Sequence, residues 1–155
     1  MVKPTSLRLL AWLVLIAAPL GWALANWVDD MGRLISIPWL AAVTLWLFAL
    51  TILWWARGTR ARLDPNSGRP RMDPLVAART AALALAGSRT GALFLGFYAG
   101  IALRLIGESA IAAGRQELLV AGLAALGGLA LAGASLYLER ICRVPRDPKG
   151  DGAAP

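Results

Sequence analysis

Hydrophobic residues make up 58% of this 155-residue chain, well above the roughly 45–50% of a soluble domain. Its formal charge of +7 would suit a nucleic-acid partner, but the basic residues flank apolar runs and no RNA- or DNA-binding motif accompanies them. One cysteine, Cys142, excludes an internal disulfide framework, and the lack of histidine removes the commonest general base and metal ligand.

The apolar residues fall into long runs. Leu9 to Val28, Leu34 to Ala56 and Leu118 to Leu138 carry no charge, and a fourth run, Gly87 to Ile106, has arginines only near its ends. A bilayer's hydrocarbon core needs about 20 apolar residues of helix. The sequence therefore predicts an all-α integral membrane four-helix bundle. Its spans lie at about 9–28, 34–56, 87–106 and 118–138 and form two antiparallel hairpins.

The first run has a basic start (Lys3, Arg8) and the small-residue sequence Ala23-Leu24-Ala25, as a secretory signal would. Its uncharged stretch is longer than a signal core of about 7–15 residues. Trp22 and Trp27 sit where an interfacial aromatic belt belongs. It is read as a retained anchor, kinked at Pro19. The short "DDMGR" connection makes helices one and two an antiparallel hairpin. Ser36 is placed as the cap of the second helix, with Pro38 in its first turn. Trp39 marks one interface of that helix and Trp54 and Trp55 the other. Trp12 and Trp46 lie deeper and are read as core packing.

The segment 57–86 is read as a cytoplasmic loop. It holds the turn-rich "DPNSGRP" and then "MDPL", a helix start with Asp73 as cap and Pro74 at the first helical position. Nothing interrupts that helix before Gly107. It is longer than the hydrocarbon, so its first turns, with Arg79, extend into the cytoplasm, and Arg89 snorkels near the inner boundary. Arg104 lies at the opposite end and is read as a snorkelling arginine with Glu108 as a nearby carboxylate, four residues on and on the same face if the helix continues past Gly107. Gly87, Gly91, Gly96 and Gly100 on the third helix, and Ala124, Gly128 and Ala132 on the fourth, are small residues at the spacing that lets helix backbones approach in lipid. They predict a tight hairpin of helices three and four. All seven tryptophans fall in the first half, so the first two helices face lipid or a partner. Residues 146–155 read as a mobile polar tail.

The opening "KPTSLRLL", the "IPWL" of the second helix, "MDPLVAARTAALALAGSRTGALFLGFYAG" and "LERICRVP" together resemble the actinobacterial four-helix membrane proteins grouped as domain-of-unknown-function family 3180. The resemblance implies the four-span architecture over about residues 3 to 145 and supplies no activity.

No acid lies inside the four runs, no Gly-rich phosphate loop occurs, and Asp29-Asp30 reads as a solvated loop pair. No catalytic, cofactor or metal site is therefore assigned. Cys142, beside Arg140 and Arg143, is read as a spectator thiol. Arg57, Arg60, Arg62, Arg79, Arg89 and Arg104 are the candidate contacts for anionic lipid headgroups or a partner, each basic residue near an anionic leaflet being worth about 1 kcal/mol. Two functions fit. One is an accessory or scaffold subunit of a larger bacterial inner-membrane complex, with lipids and another membrane protein or a second copy as partners. The other is a small homo-oligomeric transporter or flippase-like protein for an anionic or lipid-linked substrate.

With both termini inside, 13 of the basic residues are cytoplasmic and 3, Arg33, Arg104 and Arg115, are outside. Such an excess in short loops sets orientation. A reporter enzyme fused after Pro155 is therefore expected to be active only in its cytoplasmic form; an externally active fusion would reverse the topology.

Overall fold

The computed structural model describes residues 6–32, 37–63, 74–108 and 112–142. Within them the chain forms four long helices: α1 (Leu7–Asp30), α2 (Trp39–Leu63), α3 (Pro74–Leu105) and α4 (Ala112–Cys142), with a 3-10 turn at Ile106–Glu108 after α3. Each contains a stretch apolar and long enough to cross a membrane. In lipid a helix satisfies its own backbone donors and acceptors, which is why runs of this composition form helices.

Local chemistry sets the helix ends. The Ser6 hydroxyl accepts from the Leu9 N–H at 3.3 Å and caps α1. That helix continues unbroken through Pro19, whose side is exposed. Gly32 adopts φ +67°, a left-handed conformation in the turn after α1. Pro74 is the first residue of α3, as its fixed φ favours. The 32 residues of α3 extend about 48 Å at the helical rise. The caps assigned to Ser36 and Asp73, the "DPNSGRP" turn and the 146–155 tail lie outside the described residues.

The neighbour order is α1, α3, α4, α2. α3 packs against α1 on one side and α4 on the other, and α2 packs against α4. Among the described residues α1 and α2 make no backbone approach to each other. The expected packing of a hairpin between these two helices is thus corrected: they occupy opposite flanks. Both flanking helices carry the tryptophans, and both inner helices carry the glycine-rich faces. Bulky indoles hold backbones apart, whereas glycine and alanine let them close.

The glycines show how α3 serves two neighbours. A side-chain carbon at Gly91 would lie 2.6 Å from the Ala132 nitrogen, and one at Gly128 2.7 Å from the Leu95 nitrogen. Gly87 faces the Ser135 hydroxyl. These positions seat α3 on α4. Gly96 and Gly100 instead face Val14, Ala17, Ala18 and Trp22 of α1, and Gly21 of α1 sits against the Phe97 carbonyl. Five residues separate Gly91 from Gly96, a rotation of about 140° at 3.6 residues per turn. The second glycine pair is therefore not part of the α3–α4 seam expected from the sequence. Ala124 is fully buried with Ala42, Leu45 and Ala49 of α2, so its side of the Ala124-Gly128-Ala132 series serves α2 while Gly128 and Ala132 serve α3.

These contacts also fix direction. Matching residues rise together along α1 and α3 (Val14 with Gly96, Ala18 with Gly100) and along α2 and α4, where Trp46 meets Leu123 and Arg60 meets Tyr137. The α3–α4 matches run in opposite senses, Gly87 with Ser135 and Gly91 with Ala132. Two parallel pairs are thus joined through an antiparallel centre.

Trp12 and Trp46 are 65% and 40% exposed, which corrects their assignment to the core. Trp46 donates from Nε1 to the Leu123 carbonyl at 3.2 Å, while Trp12 lies on the outward side of α1.

Substitutions at glycine should separate contact from open surface. Gly100→Leu meets the Ala18 carbonyl and the Trp22 nitrogen, whereas nothing lies within 4 Å of a side-chain carbon at Gly122 or Gly133. Gly100→Leu is expected to destabilise the protein by about 1–3 kcal/mol, the usual cost of overpacking. Gly133→Leu should stay within about 0.5 kcal/mol of the wild type. Equilibrium unfolding in mixed detergent micelles reads both, and equal stabilities would refute the α1–α3 seam.

Candidate functional site

Polar side chains gather at the two ends of the bundle. At the end holding the α1–α2 connection, Arg104 of α3 donates from Nε to Asn26 Oδ1 at 2.6 Å and from Nη2 to Asp29 Oδ2 at 2.6 Å. Both acceptors sit on the last turns of α1, 78 and 75 positions before Arg104 in the sequence. The Arg104 side chain is 22% exposed and that of Asp29 52%. The expected partner, Glu108, has its side chain outside the described residues. Asp29, read from sequence as a solvated loop acid, is part of α1 and clasps it to α3.

A second clasp forms at the same end. The Ile37 N–H, just before α2, donates to Glu117 Oε2 of α4 at 2.9 Å. Ile37 lies two residues before the first helical residue of α2, where a carboxylate is favoured by the positive end of the helix dipole. Glu117 therefore supplies from α4 a contact that completes the start of α2. Sequence reasoning gave this residue no role, and no local signal marks a carboxylate 80 residues from its partner.

At the opposite end Arg60 donates from Nη1 to the Tyr137 hydroxyl at 3.0 Å, tying α2 to α4. Nearby, Ala56, Ala84 and Leu138 form a fully buried apolar cluster shared by α2, α3 and α4. Thr59, Thr80 and Glu139 are also buried, and the Thr80 hydroxyl donates to the Val76 carbonyl at 2.8 Å. The last predicted span stops at Leu138, one residue short of Glu139. Instead α4 runs on to Cys142 and buries this carboxylate against its neighbours. The run of uncharged residues ended one position too early to include it.

Arg57, Arg60, Arg79 and Arg89 are exposed. Arg57 and Arg60 lie in the last two turns of α2, and Arg79 lies in the second turn of α3. Arg89 is farther along α3, close to Gly87 and Gly91 but turned away from the seam with α4. Arg62 belongs to α2, and its side chain lies outside the described residues, as does that of Cys142. Arg104 alone of the six candidates lies at the other end. The arginines are thus brought to one end of the bundle rather than into one pocket.

Between α2 and α3, over the floor made by Leu131 of α4, lies an open groove of about 450 Å³. Phe48 and Ile52 form one wall and Leu83, Thr90 and Phe94 the other. The groove follows from the neighbour order, since α4 separates the backbones of the two walls. Among the described residues no group of three or more histidine, cysteine or acidic side chains could hold a metal.

Among the described residues the protein is all-helical, with four helices long and apolar enough to cross a bilayer, as in a multi-pass membrane protein. A family model described as protein of unknown function (DUF3180) matches residues 10–146, and the chain belongs to that family. No curated protein and no solved structure matches it.

The clasp at Arg104 is open to test. Arg104→Leu should cost about 1.5–3 kcal/mol, the range for hydrogen bonds to charged groups. Asp29→Asn should cost less than about 1 kcal/mol, as a half-exposed ion pair does. In the double variant the Asp29 effect should largely vanish. Unfolding free energies in micelles complete the cycle, and additive losses would show that the two side chains do not interact.

Proposed function

We propose that the protein is a non-enzymatic accessory or scaffold subunit of a larger complex in the bacterial cytoplasmic membrane. The observation that carries this reading is the pair of unpartnered flanks. α1 leans on α3 and α2 on α4, and the outward faces hold Trp12, Trp22 and Trp27 on one side and Trp39, Trp54 and Trp55 on the other, all more than half exposed. Aromatic surface of this kind suits both lipid interfaces and helix partners. A second membrane protein, or another copy of the chain, is the partner that such faces fit.

In this reading both termini lie in the cytoplasm, as the distribution of lysine and arginine favours. The end bearing Arg57, Arg60, Arg79 and Arg89 then meets the inner leaflet, and the first turns of α3 project beyond it. Headgroup attraction follows from the charges alone and holds the subunit level in the membrane. The binding chemistry is carried by packing surfaces and arginines; no bond is made or broken.

A transporter or flippase-like role for an anionic or lipid-linked substrate is the second reading, favoured by the lateral groove between α2 and α3. Passage of a charged group needs polar partners along its route, and this groove's walls are chiefly apolar. The accessory role is therefore preferred.

Cross-linking in native membranes followed by purification in mild detergent separates these alternatives. A reproducible membrane-protein companion, lost when Trp12 and Trp22 are both changed to Ala, is the expected outcome. Recovery as a lone monomer, together with lipid movement in reconstituted vesicles, would overturn it.

A further inference from the structure

The groove between α2 and α3 has a direction and a size. On α3 its wall follows Leu83, Ala86, Thr90, Phe94 and Tyr98, a spacing of three and four residues that keeps one helix face. From Leu83 to Tyr98 that face runs about 22 Å at the helical rise. One turn before Leu83 the same face carries Arg79, which is exposed. The stripe thus begins with a cation at the arginine-bearing end and continues as a chiefly apolar face, Thr90 and Tyr98 being its polar members.

The groove offers about 450 Å³ of open, chiefly apolar space. Its polar demand is small: the Thr44 hydroxyl in its wall already donates to the Ala41 carbonyl at 3.0 Å. A flexible apolar chain fits, and a positive charge about one turn beyond its end calls for an anionic head.

We infer that the α2–α3 groove holds one acyl chain of an anionic phospholipid, with the lipid phosphate against Arg79. Leu83, Phe48, Ile52 and Phe94 contact the chain, and Leu131 closes the floor. The lipid fills the space that α4 leaves between α2 and α3. This deepens the reading of the arginine-bearing end as the surface that faces anionic headgroups, and rests on it.

The test uses the full chain purified in mild detergent, with lipid retention read by native mass spectrometry after incubation with phosphatidylglycerol or phosphatidylcholine. The wild type should retain phosphatidylglycerol preferentially, and glycerophosphoglycerol, the headgroup without chains, should not displace it. Ala86→Phe fills the groove and should lower retention of both lipids at least tenfold; if that variant does not fold, Thr90→Phe carries the same test. Arg79→Ala should lower phosphatidylglycerol retention about fivefold, the worth of one basic residue at an anionic headgroup, and leave phosphatidylcholine unchanged. Arg8→Ala removes a charge from α1, away from the groove, and should change neither.

Wild-type retention by a folded Ala86→Phe protein would overturn the chain site. Displacement by glycerophosphoglycerol would reduce the site to a phosphate contact and overturn it too. So would disulfide-linked dimers formed in membranes by Thr90→Cys in a Cys142→Ser background, since a second copy would then occupy the groove. If Arg79→Ala behaves as Arg8→Ala while Ala86→Phe still releases lipid, the headgroup assignment fails, and with it the reading of that end as an anionic-lipid surface, while the groove remains a chain site.

Discussion

Helices in a bilayer gain little from hiding apolar surface from one another, because lipid tails are as apolar as leucine. What holds this bundle together is close approach. α3 depends on it twice, since its backbone comes against α4 at Gly91 and against α1 at Gly96 and Gly100. At such distances dispersion is collected from backbone as well as side-chain atoms, and Cα–H groups can meet carbonyl oxygens such as those of Val14 and Ala18. Remove the small residues from either face of α3, and one flank of the molecule loses its seat.

The polar clasps do a different job. Dispersion between smooth small-residue surfaces sets distance but tolerates sliding. Arg104 with Asn26 and Asp29 fixes α1 along α3, while Glu117 with the Ile37 N–H and Arg60 with Tyr137 fix α2 along α4 at both ends. All of these link helices that run parallel, with partners 75 to 80 residues apart. No loop joins the members of either parallel pair directly, so side chains must set their register. The antiparallel α3–α4 pair is set by interlocking small residues along its length, from Gly87 with Ser135 to Gly128 with Leu95.

The four spans were legible because length and uninterrupted hydrophobicity are local properties. The start of α3 at Pro74 was legible for the same reason. Which helix touches which was not. The short connection after α1 keeps the ends of α1 and α2 near each other, but it does not make their faces fit, and each helix packs on a different partner. The glycine spacing revealed packing faces without naming partners. Whether Gly91 and Gly96 serve one neighbour or two depends on a rotation that matters only once the neighbours are placed. Arg104 shows the same limit. Within its helix the nearest acid by register is Glu108, yet the described acceptors come from α1. Glu139 was hidden by a boundary drawn at the last apolar residue, whereas α4 and its burial continue past that point.

The division of labour among the helices bears on function. α3 and α4 are spent on internal packing: half of the apolar window of α4 is buried, against 17% for α1. α1 has one neighbour and a long exposed face, so a partner could approach it without disturbing the α3–α4 seam. α2 differs, because its inward side stands apart from α3 and leaves the groove over Leu131. A void in a bilayer is filled by lipid unless protein excludes it. The two flanks are therefore unequal: α1 presents a long exposed apolar face, and α2 borders a groove that begins one turn from Arg79. The proposed helix partner and the proposed lipid chain therefore use different surfaces of the same four helices and do not compete for one.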